Sequence, residues 1–155
     1  VVDGALSAAF EEILEVVVGE DGRAGFIGRS REGYAVVVDD TARGGWSLAS
    51  ELQLSHRGKD AFVARRGETD VVVVDGRAHA VGEIVRDTLR FGADGSSWGV
   101  LTADEARLLI ATSHGRRVPL DMEELAAEVS RRGAPRAEAG VLVDLVRREV
   151  ERGAR

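Results

Sequence analysis

The chain has 155 residues, 21 Lys+Arg against 27 Asp+Glu, a formal net charge of −6 and no cysteine. This length and a hydrophobic content of 44% suit one folded domain with a real core. The absence of cysteine excludes disulfides, thiolate metal sites and a cysteine nucleophile. The acidic balance argues against a surface dominated by phosphate binding.

No targeting signal is visible in the sequence. The chain opens on Val1-Val2-Asp3-Gly4, without a basic stretch followed by an apolar one, and no apolar run approaches the roughly 18 residues of a membrane helix. We therefore expect a cytoplasmic protein. Because Val1 is not a methionine, an upstream segment is also compatible with the sequence.

The first half of the chain predicts strands after a short opening helix. The helix is predicted from the apolar spacing of Leu6, Phe10, Ile13 and Leu14. Turn residues such as Glu20-Asp21-Gly22 then separate apolar runs, which is typical of antiparallel hairpins. The predicted strands are Val16–Val18, Gly25–Gly28, Tyr34–Val38, Leu48–Leu54, Asp60–Arg65 and Thr69–Val74. Asp39–Gly45 is predicted to be a polar loop, and Ser47–Leu54 also fits a helical turn.

The apolar period then changes from strand-like to helical. A covering helix is predicted where Val81, Ile84, Val85, Thr88 and Leu89 fall on one face. A linker-like stretch, Gly92–Ser97, and one last strand, Trp98–Leu101, follow it.

Three helices are predicted in the tail. The first begins at Thr102, which has capping-box spacing to Glu105, and ends near Gly115. The second begins at Asp121 and ends at Gly133, and the third follows Pro135 and carries Val141, Leu142, Leu145, Val146 and Val150.

The predicted fold is therefore α+β. A mainly antiparallel sheet of five or six strands is packed by helices, and a helical hairpin ends the chain. The sheet lobe spans 1–95 and the helical tail 96–155, as a single folding unit.

Catalytic and metal-binding patterns are weak. His79 and Glu83 are four residues apart on the predicted helix, one turn after Asp75, so their side chains share one face, which is the spacing that a metal or acid/base site uses. An exposed polar flank of the helix is the favoured interpretation. Asp39-Asp40 is interpreted as a solvated acidic loop, and Gly58-Lys59 lacks the rest of a phosphate-binding loop. The sequence predicts no enzyme, no cofactor and no metal.

A DNA-binding alternative comes from the helical tail. Two helices joined by a short turn have the outline of a helix–turn–helix reader, whose exposed N-terminal positions need Arg, Asn or Gln. Here that segment offers Arg136 but then Glu138 and Gly140, and acids alternate with the tail's other arginines. We favour a helical hairpin packed on the sheet, without nucleic-acid binding.

Two tryptophans are candidate partner-binding residues. Trp46 and Trp98 each lie beside a glycine-rich stretch. Tryptophan is enriched at binding hot spots, although it also often closes the edge of a core. Both interpretations stay open.

The second half of the chain resembles a known family. The run Phe62–Gly67, the strand Val71–Val74, the helix ending near Leu89 and the Arg132–Ala137 connection between helices are similar to the EspG-type chaperones of type VII secretion. The similarity covers at most residues 60–155, and family members are longer and two-lobed. The resemblance implies a non-enzymatic cytoplasmic chaperone that grips a helical secreted partner.

These observations predict a non-catalytic, cytoplasmic protein-binding module. Its partner is expected to be a secreted substrate, as for a secretion chaperone, or a toxin, as for an immunity protein. The net charge of −6 suits an immunity protein that faces a basic toxin. The helix–turn–helix regulator is the third alternative, and the sequence leaves the oligomeric state open.

Overall fold

The computed structural model describes residues 10–105, 107–132 and 137–154. Within these ranges the fold is α+β, with thirteen strands in three antiparallel sheets and two helices. The fold class is as predicted, but the expected single sheet of five or six strands is wrong. The chain divides into two compact units, Val1–Val81 and Gly82–Arg155. The expected boundary near residue 95 falls inside the second unit.

The first unit contains two four-stranded sheets in which each strand pairs with the next along the chain. Sheet A consists of β1 (Glu12–Val18), β2 (Ala24–Ser30), β3 (Gly33–Val38) and β4 (Thr41–Trp46). Sheet B consists of β5 (Leu48–Leu54), β6 (Asp60–Arg66), β7 (Thr69–Val74) and β8 (Arg77–Ala80).

Left-handed turn residues close two of these hairpins. Asp39 and Asp40 have φ values of 47° and 63°, and Asp75 and Gly76 have 48° and 80°. Two successive positive φ values give a turn whose twist matches that of antiparallel strands, and aspartate and glycine adopt them at low cost. The predicted polar loop at Asp39–Gly45 is therefore wrong, since β4 begins directly after the turn.

One face of sheet A packs on one face of sheet B. The core between them consists of buried apolar side chains from both sheets: Ile27, Val36, Val38, Trp46, Ala49, Leu52, Phe62, Ala64, Val71 and Val73. Phe26 and Val37 lie on the opposite face of sheet A and are 1% and 2% exposed. Sheet A is thus apolar on both faces.

The two sheets are repeats of one another at an offset of 36 residues, as from Phe26 to Phe62. Identical residues recur at this offset: Gly22/Gly58, Phe26/Phe62, Arg29/Arg65, Glu32/Glu68, Val36–Val38/Val72–Val74, Asp39/Asp75 and Ala42/Ala78. The strand registers recur with them, because Phe26 pairs with Val37 as Phe62 pairs with Val73. A repeated four-stranded meander is typical of architectures that stack copies of one supersecondary unit.

The second unit contains sheet C and both helices. Sheet C consists of β9 (Glu83–Ile84), β10 (Arg90–Phe91), β11 (Trp98–Asp104), β12 (Arg107–Thr112) and β13 (Arg117–Pro119). Its order is β10-β11-β12-β13, and β9 also pairs with β11. The helices α1 (Met122–Arg132) and α2 (Ala137–Gly153) pack on each other, and α2 lies on β10, β11 and β12.

Glycine lets α2 lie close to sheet C. A Cβ atom on Gly99 would lie 2.4 Å from Val150 Cγ2 and 3.3 Å from Val146 Cγ1, closer than side chains pack. Val146 and Val150 are 0% exposed, in a core that also includes Leu101 and Ile110.

No described helix combines the length and apolarity that crossing a membrane requires.

Three predicted helices are overturned by positive φ values or strand pairing. The segment 81–89 contains only the two-residue strand β9, with φ of 101° at Gly82 and 62° at Asp87, and Val81, Ile84 and Leu89 are buried without a helix. The predicted helix from Thr102 is the β11–β12 hairpin, in which Thr102 pairs with Leu109. Ile13 and Leu14 of the predicted opening helix lie in β1, while Leu6 lies outside the described residues.

The two later helices are confirmed. The Asp121 carboxylate accepts hydrogen bonds from the backbone N–H groups of Glu123 and Glu124, at 2.9 and 3.0 Å, which caps α1 as its spacing predicts.

Candidate functional site

Large exposed aliphatic side chains concentrate on one edge strand. Within the described residues, Ile13, Leu14, Val16 and Val18 of β1 are 41%, 45%, 65% and 72% exposed, and Met122 on α1 is the other large exposed hydrophobic residue. We call the four β1 side chains the β1 apolar surface. Exposed apolar side chains grouped on one strand of a folded domain are typical of an interaction site.

The repeat shows how unusual this exposure is. At the offset of 36 residues, Val16 corresponds to Leu52 and Val18 to Leu54. Leu52 is 3% exposed in the core between the sheets, and Leu54 packs against that core. The same strand position therefore carries aliphatic side chains in both repeats, but only the second repeat buries them within the unit.

Strand pairing fixes the direction of the β1 side chains. Val16 pairs with Phe26 and Val18 with Ala24, so these residues share the face of sheet A that points away from sheet B. Val17 lies on the other face and packs against the core. A bulge between Ile13 and Glu15 shifts the register, and the Glu15 carboxylate accepts a hydrogen bond of 3.1 Å from the Glu51 backbone N–H.

A cavity of about 240 Å³ adjoins the β1 apolar surface. The described residues that line it are Gly22, Ala24, Gly25, Phe26, Val37, Asp39 and Asp40. Phe26 and Ala24 are the cross-strand neighbours of Val16 and Val18. Phe26 and Val37 supply apolar side chains to the cavity, and the β3–β4 turn supplies the carboxylates of Asp39 and Asp40. We call this space the sheet A cavity.

The two carboxylates of the cavity differ in their partners. The Arg23 guanidinium donates to Asp39 Oδ2 at 2.6 Å, and this hydrogen bond raises the pKa of Arg23. Asp40 is exposed and makes no hydrogen bond or ion pair with any part of the chain that is described. One negative charge at this turn is therefore paired and the other faces solvent.

The predicted partner-binding tryptophans are buried. Trp46 is 7% exposed, packs edge-on against Phe62 at 5.9 Å between ring centroids, and lies 4.6 Å from the Arg66 guanidinium. Trp98 is 5% exposed at the start of β11. Both indoles therefore offer little area to a partner in this conformation, and their role as anchors stays a prediction.

The acid/base alternative at His79 and Glu83, which the sequence did not favour, loses its geometric basis. His79 lies in β8 and Glu83 in β9, so the helical spacing that would have joined them does not exist. Within the described residues, no three histidine or acidic side chains lie together in a group that could hold a metal ion. Asp39-Asp40, predicted as a solvated loop, is a tight turn beside the sheet A cavity.

The arginines of the two helices are neutralised by acids. Arg131, Arg132, Arg147, Arg148 and Arg152 form ion pairs with Glu128, Asp144, Glu124 or Glu149. Arg136, the residue that the helix–turn–helix alternative needs most, lies outside the described residues.

The β1 apolar surface is the site that sequence reasoning missed. The apolar spacing of Ile13 and Leu14 predicts a helix, so the sequence predicts only Val16–Val18 as a strand, whereas β1 begins at Glu12. The signal that would have revealed it is the repeat, since the strand pattern of residues 48–54 recurs at residues 12–18.

The chain matches no protein-family model, no curated protein and no solved structure.

Proposed function

We propose that this protein is a non-catalytic module that binds another protein through the β1 apolar surface. The observation that carries the proposal is the exposure of Val16 and Val18, at 65% and 72%, where the equivalent Leu52 is 3% exposed. Sheet A itself covers that position in the second repeat. A partner that covers Val16 and Val18 would bury the same kind of surface in the same way.

The free energy gained by covering Val16 and Val18 is sufficient for recognition of a partner. Fully burying one valine contributes about 1.5–3 kcal/mol, so covering two of them changes affinity by more than about tenfold. The neutralised arginines of α1 and α2 support a protein partner over a nucleic acid. A secreted substrate and a toxin are the partners proposed from the sequence.

The test is capture of a partner from a lysate of the source organism by three immobilised proteins. The double variant Val16→Thr/Val18→Thr keeps β-branched side chains on the strand but places hydroxyls at the surface. A hydroxyl buried without a hydrogen-bond partner costs about 1–3 kcal/mol. We expect the native chain to capture a protein that the double variant loses.

The matched control is Met122→Gln, which removes an exposed apolar side chain from α1 at 58% exposure. It should capture the same protein as the native chain. Equal capture by all three proteins, or none by the native chain, would contradict the proposed function. Circular dichroism of each variant checks that the fold is retained.

A further inference from the structure

The contact between the two repeats contains a basic side chain that points to the chemistry of the partner. Arg43 on sheet A lies over the end of sheet B, where its Nη1 donates to Asp60 Oδ2 at 2.5 Å. Asp60 is 4% exposed, so the carboxylate of this ion pair is buried, while the Arg43 side chain stays partly exposed. A Cβ atom on Gly76 would lie 3.4 Å from Arg43 Nε. The guanidinium therefore sits between positions 60 and 76 of sheet B.

The equivalent positions of sheet A line the sheet A cavity. At the offset of 36 residues, Asp60 corresponds to Ala24 and Gly76 to Asp40. Both Ala24 and Asp40 line the cavity of about 240 Å³. The small side chain and the carboxylate have exchanged places between the two repeats, so each site keeps one acid and one small residue around the same space.

We infer that the sheet A cavity accepts an arginine side chain of the partner protein, with Asp40 as its counter-ion. This inference rests on the proposed function and adds the chemistry of the partner segment: a guanidinium flanked by aliphatic side chains. The aliphatic groups cover Val16 and Val18, and the guanidinium enters beside Ala24. Asp40 supplies the negative charge that Asp60 supplies to Arg43.

The geometry around the cavity favours a cation over a purely apolar group. Asp39 is already paired with Arg23 at 2.6 Å, whereas Asp40 is exposed and unpaired within the described residues. Closing the cavity with an apolar group would desolvate the Asp40 carboxylate without compensation, which is unfavourable. A guanidinium satisfies the carboxylate through paired N–H donors.

The test is titration of the full chain with three short peptides, followed by two-dimensional ¹H–¹⁵N NMR. The probes are acetyl-Leu-Arg-Leu-amide, the same peptide with citrulline in place of arginine, and the same peptide with glutamate. Citrulline keeps the shape of arginine but has no charge. We expect the arginine peptide to shift the amide signals of Gly22, Gly25 and Asp40 in the millimolar range.

We expect the citrulline peptide to bind about three- to fivefold more weakly, which is the size of one exposed ion pair, and the glutamate peptide more weakly still. Asp40→Asn should remove the difference between arginine and citrulline. Asparagine tolerates the positive φ of 63° at this position, so the turn is retained. Glu68→Gln, at the hairpin turn between β6 and β7, is the control and should keep the difference.

Equal binding of the arginine and citrulline peptides, shifts that map elsewhere, or no shifts up to several millimolar would overturn the inference. The proposed function fails by a different result, namely partner capture that survives Val16→Thr/Val18→Thr. Capture that depends on Val16 and Val18 while the peptides fail would show a docking surface whose partner does not use arginine here.

Discussion

At the scale of single residues, Asp94 shows how one carboxylate holds a turn. Its Oδ1 accepts hydrogen bonds from the backbone N–H groups of Ser96 and Ser97, at 3.0 and 2.8 Å, and its Oδ2 accepts one from the Ser97 hydroxyl at 2.6 Å. These bonds, the one from the Ser97 hydroxyl first, lower the pKa of Asp94 to about 2. The segment from Gly92 to Ser97 that the sequence predicts as a linker is thus an ordered turn before β11.

Asp94→Asn should destabilise the protein at neutral pH but not in acid. A carboxylate whose pKa falls from 3.8 to about 2 on folding contributes stability above pH 4 and loses it as the pH falls toward 2. Urea unfolding at pH 7, 4 and 2.5 should therefore show a difference in the free energy of unfolding between the native chain and the variant. This difference should become smaller as the pH is lowered. Asp40→Asn, at an aspartate without described hydrogen bonds, is the control. A difference that stays constant down to pH 2.5 would contradict this role of Asp94.

At the scale of elements, the contact of α2 with sheet C depends on the missing side chain of Gly99. A Cβ atom there would also lie 3.3 Å from the Ala111 carbonyl oxygen, so the strand has no space on either side. Overpacking a tight core contact costs about 1–3 kcal/mol. Gly99→Ala should therefore lower the free energy of unfolding by that amount, measured by urea denaturation.

A double-mutant cycle separates overpacking from a general effect of alanine. Val150→Ala removes the Cγ2 atom that clashes and by itself should cost about 2 kcal/mol through the cavity it leaves. In that background Gly99→Ala should cost less than in the native chain, because the added methyl fills the cavity. Gly44→Ala on β4, whose added Cβ would lie 3.6 Å from Ala35 Cβ, should change stability by less than about 0.5 kcal/mol. If the costs of Gly99→Ala and Val150→Ala simply add in the double variant, the close approach of Val150 to Gly99 is contradicted.

The elements that sequence reasoning found are those with a local physical signal. Asp121 predicts the start of α1 because its carboxylate bonds to nearby N–H groups, and the apolar face of α2 is complete within the helix itself. The helix around Val81–Leu89 was predicted wrongly because helical spacing also arises when an irregular segment is buried. Its positive φ values at Gly82 and Asp87 depend on tertiary contacts that spacing does not encode.

At the scale of the whole molecule, the repeat of 36 residues could be predicted from the sequence, and the candidate site could not. The valine runs Val36–Val38 and Val71–Val74, each followed by an aspartate, already contain the repeat. That Leu52 is buried while Val16 is exposed depends on which face of each sheet is covered. This follows from the packing of sheet A on sheet B and has no local signal.

The charge of the molecule makes a last prediction about nucleic acids. The chain has 27 acidic and 21 basic residues, and five arginines of the two helices are paired with acids. Phosphate binding requires unpaired basic groups and weakens steeply with salt, so we expect no mobility shift of duplex DNA at about 150 mM salt. Weak binding at about 20 mM salt is compatible with this, because the arginines are then poorly screened. Sequence-specific binding that survives 150 mM salt and is lost on Arg136→Ala would contradict the protein-binding proposal, since it would require the tail to act as a helix–turn–helix reader.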